Sequence, residues 1–249
     1  MPWPLPPQDA DLLDLAKSYP FEAPAGSYLF AEGMARPLSP GENRAELYAG
    51  RVPVIAHGSN RAPAQLRRKF GDQAEIPVTR GWLRDYDAVY SAHMTQYGSI
   101  AANLQYTPGV RVAVFVTWLS APQLERMHAT ELGGENYVYG AMERIEMVLE
   151  TDPAATLAQA YIYLSVRGCL AVGAAPIALA AVEAHGRAHG ALHQHEVLAL
   201  VCGRHGAGAA LDGFILAHVR DQALRRALIA GMGAGAIPMA APHFRSMLP

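Results

Sequence analysis

Residues 55–71, "IAHGSNRAPAQLRRKFG", join a short apolar run to an amphipathic stretch through three small or polar residues, Gly-Ser-Asn. The run "VPVIA", which ends just before them, has the length and the branched side chains of a buried strand. In "PAQLRRKF", Pro63 suits the first turn of a helix and Gly71 suits the position after its last turn. Leu66 and Phe70 share one face of that helix. The segment therefore predicts a strand, a tight turn and a helix in direct succession.

The composition is that of a globular protein with a sizeable core. The chain has 249 residues, 51% of them hydrophobic, which is enough for one domain with extensions. The formal net charge is −2, and the basic residues are scattered except for a run at 67–69. We expect that run to form a solvated helix face, so the sequence predicts no nucleic-acid partner.

Cysteine usage and the apolar stretches bear on the compartment. The two cysteines, Cys169 and Cys202, are too few for a disulfide framework and favour a reducing compartment. The first residues show no basic segment followed by an apolar run, so no signal peptide is predicted. The most apolar stretch, "GCLAVGAAPIALAAV", is interrupted by Gly and Pro and is too short to span a bilayer. We therefore expect a cytoplasmic protein with no membrane partner.

Strand patterns follow one another with few helices between them. In "VRVAVFVTW" (110–118) the apolar residues alternate at period two, which is typical of a strand. Further strands are predicted at 82–91, 101–106, 136–149 and 158–166, with a hairpin at 169–182. Helices are predicted at 9–19, 120–131, near 190–202 and at 212–231. This order favours an α+β fold around a mostly antiparallel or barrel-like sheet.

The Gly-Ser-Asn turn is suited to holding an anion or an oxyanion. At the start of a helix several backbone N–H groups lack an intrahelical partner, and the helix dipole adds positive charge. Gly58 has no Cβ, so a ligand can approach the backbone closely there. Ser59 and Asn60 can cap the helix or donate to the ligand. A capped turn without a ligand would use the same residues.

The helix predicted at 121–131 has an acidic residue on its apolar face. Leu124, Met127, His128 and Glu131 fall at positions i, i+3, i+4 and i+7, which form one stripe. A carboxylate at that place is partly desolvated, so we expect its pKa to be raised and the group to exchange protons near neutral pH. A structural Glu, paired with an Arg or a backbone amide, is the alternative.

Four segments, taken in order, resemble the γ-glutamylcyclotransferase superfamily. "AHGSN" resembles the Tyr-Gly-Ser-Asn loop of that family, and "WLRDYDAVYS" resembles the strand after its first helix. "GSIAANLQYTPGVRVAVFVTWLS" resembles the segment that passes through a Pro-Gly turn into a central strand. "QLERMHATELGGENY" resembles the helix that contains the essential Glu. The resemblance covers about residues 52–182.

The resemblance implies an α+β fold built on a small mixed, largely antiparallel β-barrel with flanking helices. It implies three regions, namely an N-terminal extension (1–50), a γ-glutamylcyclotransferase-like domain (51–185) and a C-terminal helical extension packed on that domain (186–249). The oligomeric state stays open, and the C-terminal helices are one possible homodimer surface.

The resemblance also implies a reaction that needs no metal and no organic cofactor. The α-amine of a γ-glutamyl amine attacks its own side-chain carbonyl, 5-oxoproline forms, and the amine leaves. Glu131 would be the proton shuttle, and Tyr163 is favoured over Tyr161 as a tyrosine that contacts the substrate. The loop that would hold the substrate consists of His57, Gly58, Ser59, Asn60 and Arg61.

Two residues depart from the family pattern. His57 stands where the loop usually has Tyr, and an unperturbed imidazole titrates near pH ~6.5, so it offers a second acid–base group. Arg61 stands where a small or apolar residue is expected, and it can pair with a substrate carboxylate. Glu135 is a second candidate for the shuttle if the helix extends that far.

Other constellations are weaker. Four histidines at 185–195 have spacings that suit a metal site on one helix, but glycines interrupt the segment, so no metal is predicted. The Gly-x-Ser-x-Gly elbow of serine hydrolases is absent. Two functional alternatives stay open beside the cyclotransferase. One is a binding or interaction protein without turnover, and the other is an amidohydrolase that uses water with His57 as base.

Overall fold

The computed structural model describes residues 4–38, 44–152 and 156–247. The helices are α1 (Asp9–Lys17), α2 (Arg44–Tyr48), α3 (Pro63–Phe70), α4 (Ala121–Glu131), α5 (Gln194–His205), α6 (Leu211–Arg220) and α7 (Gln222–Gly233). The strands are β1 (Tyr28–Ala31), β2 (Met34–Pro37), β3 (Val52–Ala56), β4 (Ile76–Met94), β5 (Ile100–Leu119), β6 (Tyr137–Leu149), β7 (Thr156–Ser165), β8 (Ala171–Val172), β9 (Ala175–Pro176), β10 (Ala178–Leu179), β11 (Ala184–His185), β12 (Ala191–Leu192) and β13 (Phe244–Ser246).

Five strands close a barrel. Their order around it is β5, β3, β7, β6 and β4, and β4 pairs again with β5. β3 and β7 are parallel, whereas the other neighbouring pairs are antiparallel. The predicted α+β class with a small mixed, largely antiparallel barrel and flanking helices is confirmed.

The two longest strands, β4 and β5, form a hairpin. The prediction of separate strands at 101–106 and 110–118 was wrong, because β5 runs through both. The Pro108–Gly109 pair is a bulge in that strand, at a register shift opposite Asp85. Gly109 has φ +84°, and its N–H donates to the Asp85 carboxylate at 2.8 Å. The Pro-Gly sequence therefore bends the ladder and does not end it.

Alternate residues of β3 face two different cores. Ile55 belongs to the main core, together with the alternating valines of β5. Val54 belongs to a second core, in which Leu66 of α3 and Met127 of α4 pack on the sheet. The two helices α3 and α4 therefore lie against the same face of the barrel. The loop that precedes α3 is near the last turn of α4.

Both extensions are attached to the barrel. The β1–β2 hairpin, which was not predicted, pairs with β4, and α1 packs on α5 and α6. The prediction of a single helix at 212–231 was wrong, because Asp221 ends α6 and starts α7. Its carboxylate accepts the N–H groups of Ala223 and Leu224 at 2.8 and 3.0 Å, which makes it an N-cap. The division of the chain at residues 50 and 185 stays a prediction.

The four histidines at 185–195 have different partners. The His185 ring packs at a tilt against Trp82, His189 lies 3.0 Å from the buried Asp87, and His193, the N-cap of α5, stacks on His195. Among the described residues, no three His, Cys, Asp or Glu side chains are arranged as metal ligands. In the same described ranges, the longest helices have 12 residues, and none has the length and apolarity that crossing a bilayer requires.

The turn between β4 and β5 is tightly covered. Gly98 has φ +89°, and a Cβ built on it would lie 2.9 Å from methyl groups of Ile215 and Val219 in α6. We predict that Gly98→Ala lowers the free energy of unfolding by about 1–3 kcal/mol more than Gly109→Ala does, because the added methyl group overpacks the contact with α6. Gly109 has a similar φ of +84° but no neighbour within 4 Å of the same position, so it controls for backbone strain. Urea denaturation measures both, and equal losses would contradict the prediction.

Candidate active site

The 57–61 loop directly follows β3 and contains a 3₁₀ turn, Ser59–Arg61. The N-cap of α3 is Ala62, which offers no side-chain cap. Ser59 and Asn60 therefore do not cap α3, which was one of the two roles open to them from the sequence. Their side chains are directed to other partners, and this brings the loop into contact with α4 and with the β4–β5 turn.

Asn60 links the loop to the acidic residue of α4. Its Nδ2 donates to Glu131 Oε1 at 3.0 Å, across 71 positions of sequence. The same carboxylate oxygen forms a close ion pair with Lys69 Nζ. Lys69 also contacts the thioether of Met127 at 3.3 Å. The Lys69 side chain is 3% exposed and that of Glu131 is 14% exposed, so the pair is almost withdrawn from water.

The expectation of a raised pKa for Glu131 was wrong. Burial raises the pKa of this carboxyl group, but the Lys69 charge, the Asn60 hydrogen bond and the nearby His57 together lower it below its ordinary value of 4.5. Glu131 is therefore ionised at neutral pH. The prediction that 67–69 is a solvated run was also wrong at Lys69, since this residue lies on the buried face of α3 with Leu66.

Two buried histidines lie near this carboxylate, and both are neutral at pH 7. Burial lowers the pKa of His57 to about 4, although a backbone hydrogen bond at Ala102 and the Glu131 charge act in the opposite direction. Burial and the Arg167 charge lower the pKa of His93, also to about 4. His57 is consequently uncharged in this environment and lacks the pKa near neutrality that was expected of a second acid–base group.

Tyr19 from the N-terminal extension covers the glycine of the loop. Its hydroxyl accepts the backbone N–H of Ala102 at 2.8 Å. A Cβ built on Gly58 would lie 2.4 Å from that hydroxyl oxygen. Gly58 has φ −118°, so its backbone conformation does not require glycine. The close approach that the sequence suggests at Gly58 is therefore made by a side chain of the same chain.

Three tyrosines complete the surroundings of Glu131, and we call Tyr19, Tyr97 and Tyr137 the tyrosine cluster. Tyr19 and Tyr97 are buried, and Tyr137 is half-buried. Burial raises the pKa of each tyrosine well above its ordinary value of 10, and the Glu131 charge acts in the same direction. The Tyr97 hydroxyl is hydrogen-bonded to Ser59. The cluster is therefore a set of neutral hydroxyl groups around one carboxylate.

Arg61 is buried without a carboxylate partner in the described parts of the chain. Its Nη2 donates to the carbonyl of Ala181 at 2.9 Å, whereas its Nε has no hydrogen-bond partner. His57 Nδ1 and Asn60 Oδ1 are also buried without a partner. Buried polar atoms are normally hydrogen-bonded, so three unpartnered atoms on five successive residues set this loop apart within the described parts of the chain.

The remaining candidates divide between the site and its periphery. Tyr163 is buried and its hydroxyl lies 2.8 Å from His128 Nδ1 on α4, and the Glu131 charge contributes to its raised pKa. Tyr161 instead stacks on Tyr139. Glu135 is 96% exposed on its side chain and lies beyond the end of α4, so it is outside this site.

Lys69 and Tyr19 were not predicted as site residues. For Lys69 a signal existed, because positions 62, 65, 66 and 69 have the spacing of one helix face and all are buried. For Tyr19 no signal existed in the sequence, since it lies about 80 positions from Ala102 in a segment without a recognisable motif.

Comparisons with known proteins find remote similarity to solved structures. No family model matches the sequence, and no curated protein matches it significantly. Among solved structures, a chain described as "Gamma-glutamyl cyclotransferase" has 15% identity and a TM-score of 0.38. The match covers 46% of this chain and 66% of that chain. At this TM-score it assigns neither a reaction nor a catalytic residue, and the fold class follows from the barrel itself.

The Lys69–Glu131 pair makes a specific prediction for stability against pH. The pKa of Glu131 is lower in the folded state than its ordinary value of 4.5. The stabilisation of the fold by the pair is therefore fully present above pH about 4.5 and is lost as pH falls through the folded-state pKa. Lys69→Met leaves a buried carboxylate unpaired, so we expect the free energy of unfolding at pH 7 to fall by about 3–5 kcal/mol. Burial then raises the Glu131 pKa, and the variant should regain stability as pH falls from 7 to 5.

Urea denaturation at several pH values measures both effects. Arg67→Met on the same helix is the control, because Arg67 is an exposed cation whose partner is Asp72, and it should leave the pH dependence of the wild type in place. A Lys69→Met variant with the wild-type pH dependence would contradict the electrostatic account of Glu131.

Proposed function

We propose that this protein is a γ-glutamylcyclotransferase-like enzyme that converts a γ-glutamyl amine to 5-oxoproline and a free amine, with Glu131 as the proton shuttle. The observation that carries the proposal is the hydrogen bond from Asn60 to Glu131. It joins the two motifs on which the sequence resemblance rests, although they lie 71 positions apart.

The unpartnered polar atoms of the loop support a polar ligand. Arg61 Nε is a hydrogen-bond donor and part of the positively charged guanidinium group, so it suits a carboxylate group of a ligand. Asn60 Oδ1 is an acceptor, and His57 Nδ1 is an acceptor or a donor depending on the tautomer. A γ-glutamyl group has a carboxylate, an amine and a carbonyl oxygen, which match donors and acceptors of this kind.

The chemistry requires proton transfer but no cofactor. The α-amine nitrogen forms a bond with the side-chain carbonyl carbon, the amide bond to the amine breaks, and the ring closes. Because nucleophile and electrophile belong to one molecule, proximity supplies much of the acceleration. In the proposal Glu131 accepts a proton from the attacking nitrogen and gives it to the leaving nitrogen.

The ionised state of Glu131 suits the first of these transfers. A carboxylate that is charged at neutral pH is already in the form that accepts a proton. A ligand ammonium near Glu131 would compete with Lys69 for the carboxylate, since both are cations.

A binding protein without turnover is the second candidate. Two observations favour it, namely the neutralisation of Glu131 by Lys69 and the position of Tyr19 over Gly58. Both features complete the site with groups of the chain itself. A binding protein needs the loop but no mobile proton, so the effect of removing the acid distinguishes the two candidates.

The test is turnover of a panel of γ-glutamyl amino acids by the full chain, with detection of 5-oxoproline. For the enzyme we expect Glu131→Gln to reduce the rate about 10²–10⁴-fold, because the amide cannot accept a proton. Glu125→Gln is the matched control, since Glu125 is an exposed carboxylate on the same helix, and it should retain the wild-type rate.

Calorimetric titration with γ-glutamyl-alanine separates the candidates. A wild type that forms no 5-oxoproline from any member of the panel, yet binds this probe as tightly as the Glu131→Gln variant does, would favour the binding protein. A Glu131→Gln variant with wild-type turnover would exclude Glu131 as the shuttle.

A further inference from the structure

We propose that Tyr19, from the N-terminal extension, is a catalytic residue of this site, with its hydroxyl donating a hydrogen bond to the ligand oxygen that becomes negatively charged. The proposal deepens the proposed function and rests on it, because the oxygen in question belongs to the acyl group that reacts. It also assigns a role to the extension, which lies outside the resemblance to the cyclotransferase superfamily.

The first argument is the direction of the hydrogen bonds at Tyr19. Its oxygen accepts the N–H of Ala102, so the hydroxyl proton is left to be donated elsewhere. Among the described residues, none accepts that proton. A hydroxyl that accepts one hydrogen bond is polarised and becomes a better donor for a second.

The second argument is the position of the hydroxyl relative to the loop. The oxygen lies against the Cα of Gly58, where any side chain would collide with it. The hydroxyl is therefore fixed against the loop backbone at Gly58, between His57 and Ser59 in sequence. The Glu131 charge also acts on Tyr19, which places the hydroxyl and the proposed shuttle in one electrostatic environment.

The third argument is the protonation state. Burial raises the pKa of Tyr19 well above its ordinary value, with the neighbouring Tyr97 as a further cause. The group is thus a neutral O–H donor at neutral pH. A neutral donor aimed at developing negative charge, in a site withdrawn from water, is the arrangement that stabilises an oxyanion.

The extension holds Tyr19 in place through contacts on both sides of it. Ser99 Oγ donates to the carbonyl of Ala16 at 2.8 Å, and the Arg68 guanidinium lies 4.6 Å from the ring centre of Phe21. Lys17 pairs with Asp212 of α6 at 2.5 Å. α1 and the C-terminal helices therefore position the hydroxyl, and its placement does not depend on the loop alone.

The experiment compares Tyr19→Phe with the wild type in turnover of γ-glutamyl-alanine. We expect kcat to fall about 10²-fold with little change in KM, because the lost bond is made mainly to the transition state. Tyr86→Phe is the control. Tyr86 is also a fully buried tyrosine, but its hydroxyl is bonded to His243, so its removal should leave kcat unchanged. Thermal unfolding of both variants shows whether the fold is retained.

The outcomes separate this proposal from the proposed function. If the wild type turns over the substrate and Tyr19→Phe does so at the same rate, the proposed role of Tyr19 is overturned, whereas the proposed cyclotransferase activity stands. If the wild type has no turnover, the proposed function fails, and catalysis by Tyr19 fails with it. Should Tyr19→Phe lower the unfolding temperature and raise KM while kcat stays constant, the hydroxyl is structural and the proposal is overturned. A loss confined to kcat, with folding retained, supports it.

Discussion

The ion pair between Lys69 and Glu131 is the interaction on which the arrangement of the site depends. It joins the last turn of α3 to the last turn of α4, and both groups are almost shielded from water. Two charges buried in this way are tolerated only when they are paired and hydrogen-bonded. Asn60 supplies the additional hydrogen bond. The loop, α3 and α4 must therefore be correctly placed together, since a shift of any one of them would leave a charge unpaired.

The N-terminal extension belongs to the same arrangement. Its tyrosine binds the backbone of β5 and covers the glycine of the loop, whereas α1 is held by the C-terminal helices. The two regions that lie outside the barrel thus meet each other, and the N-terminal one contributes Tyr19 to the site.

Local patterns in the sequence were sufficient for much of the fold. The turn into α3 and the period of the β5 valines each depend on neighbours in sequence, and each was predicted correctly. The failures came from context. The Pro-Gly pair bends β5 without ending it, because Asp85 of β4 lies opposite the bulge and accepts the Gly109 N–H. Asp221 divides a continuous apolar pattern by capping α7. At the site, the carboxylate on an apolar stripe was identified, but its charge state depends on Lys69, which is 62 positions away.

The parallel pairing of β3 with β7 has a consequence for how the molecule assembles. Val54 and Tyr161 are register partners, so the strand that leads into the loop pairs with a segment that follows the β4–β5 hairpin and α4 in the chain. Contacts between such distant segments form slowly, because closing a long loop of chain costs entropy. In a nascent chain that ends before β7, the edge of β3 that pairs with β7 would lack its partner strand. An open edge of this kind exposes the protein to aggregation until β7 has been added.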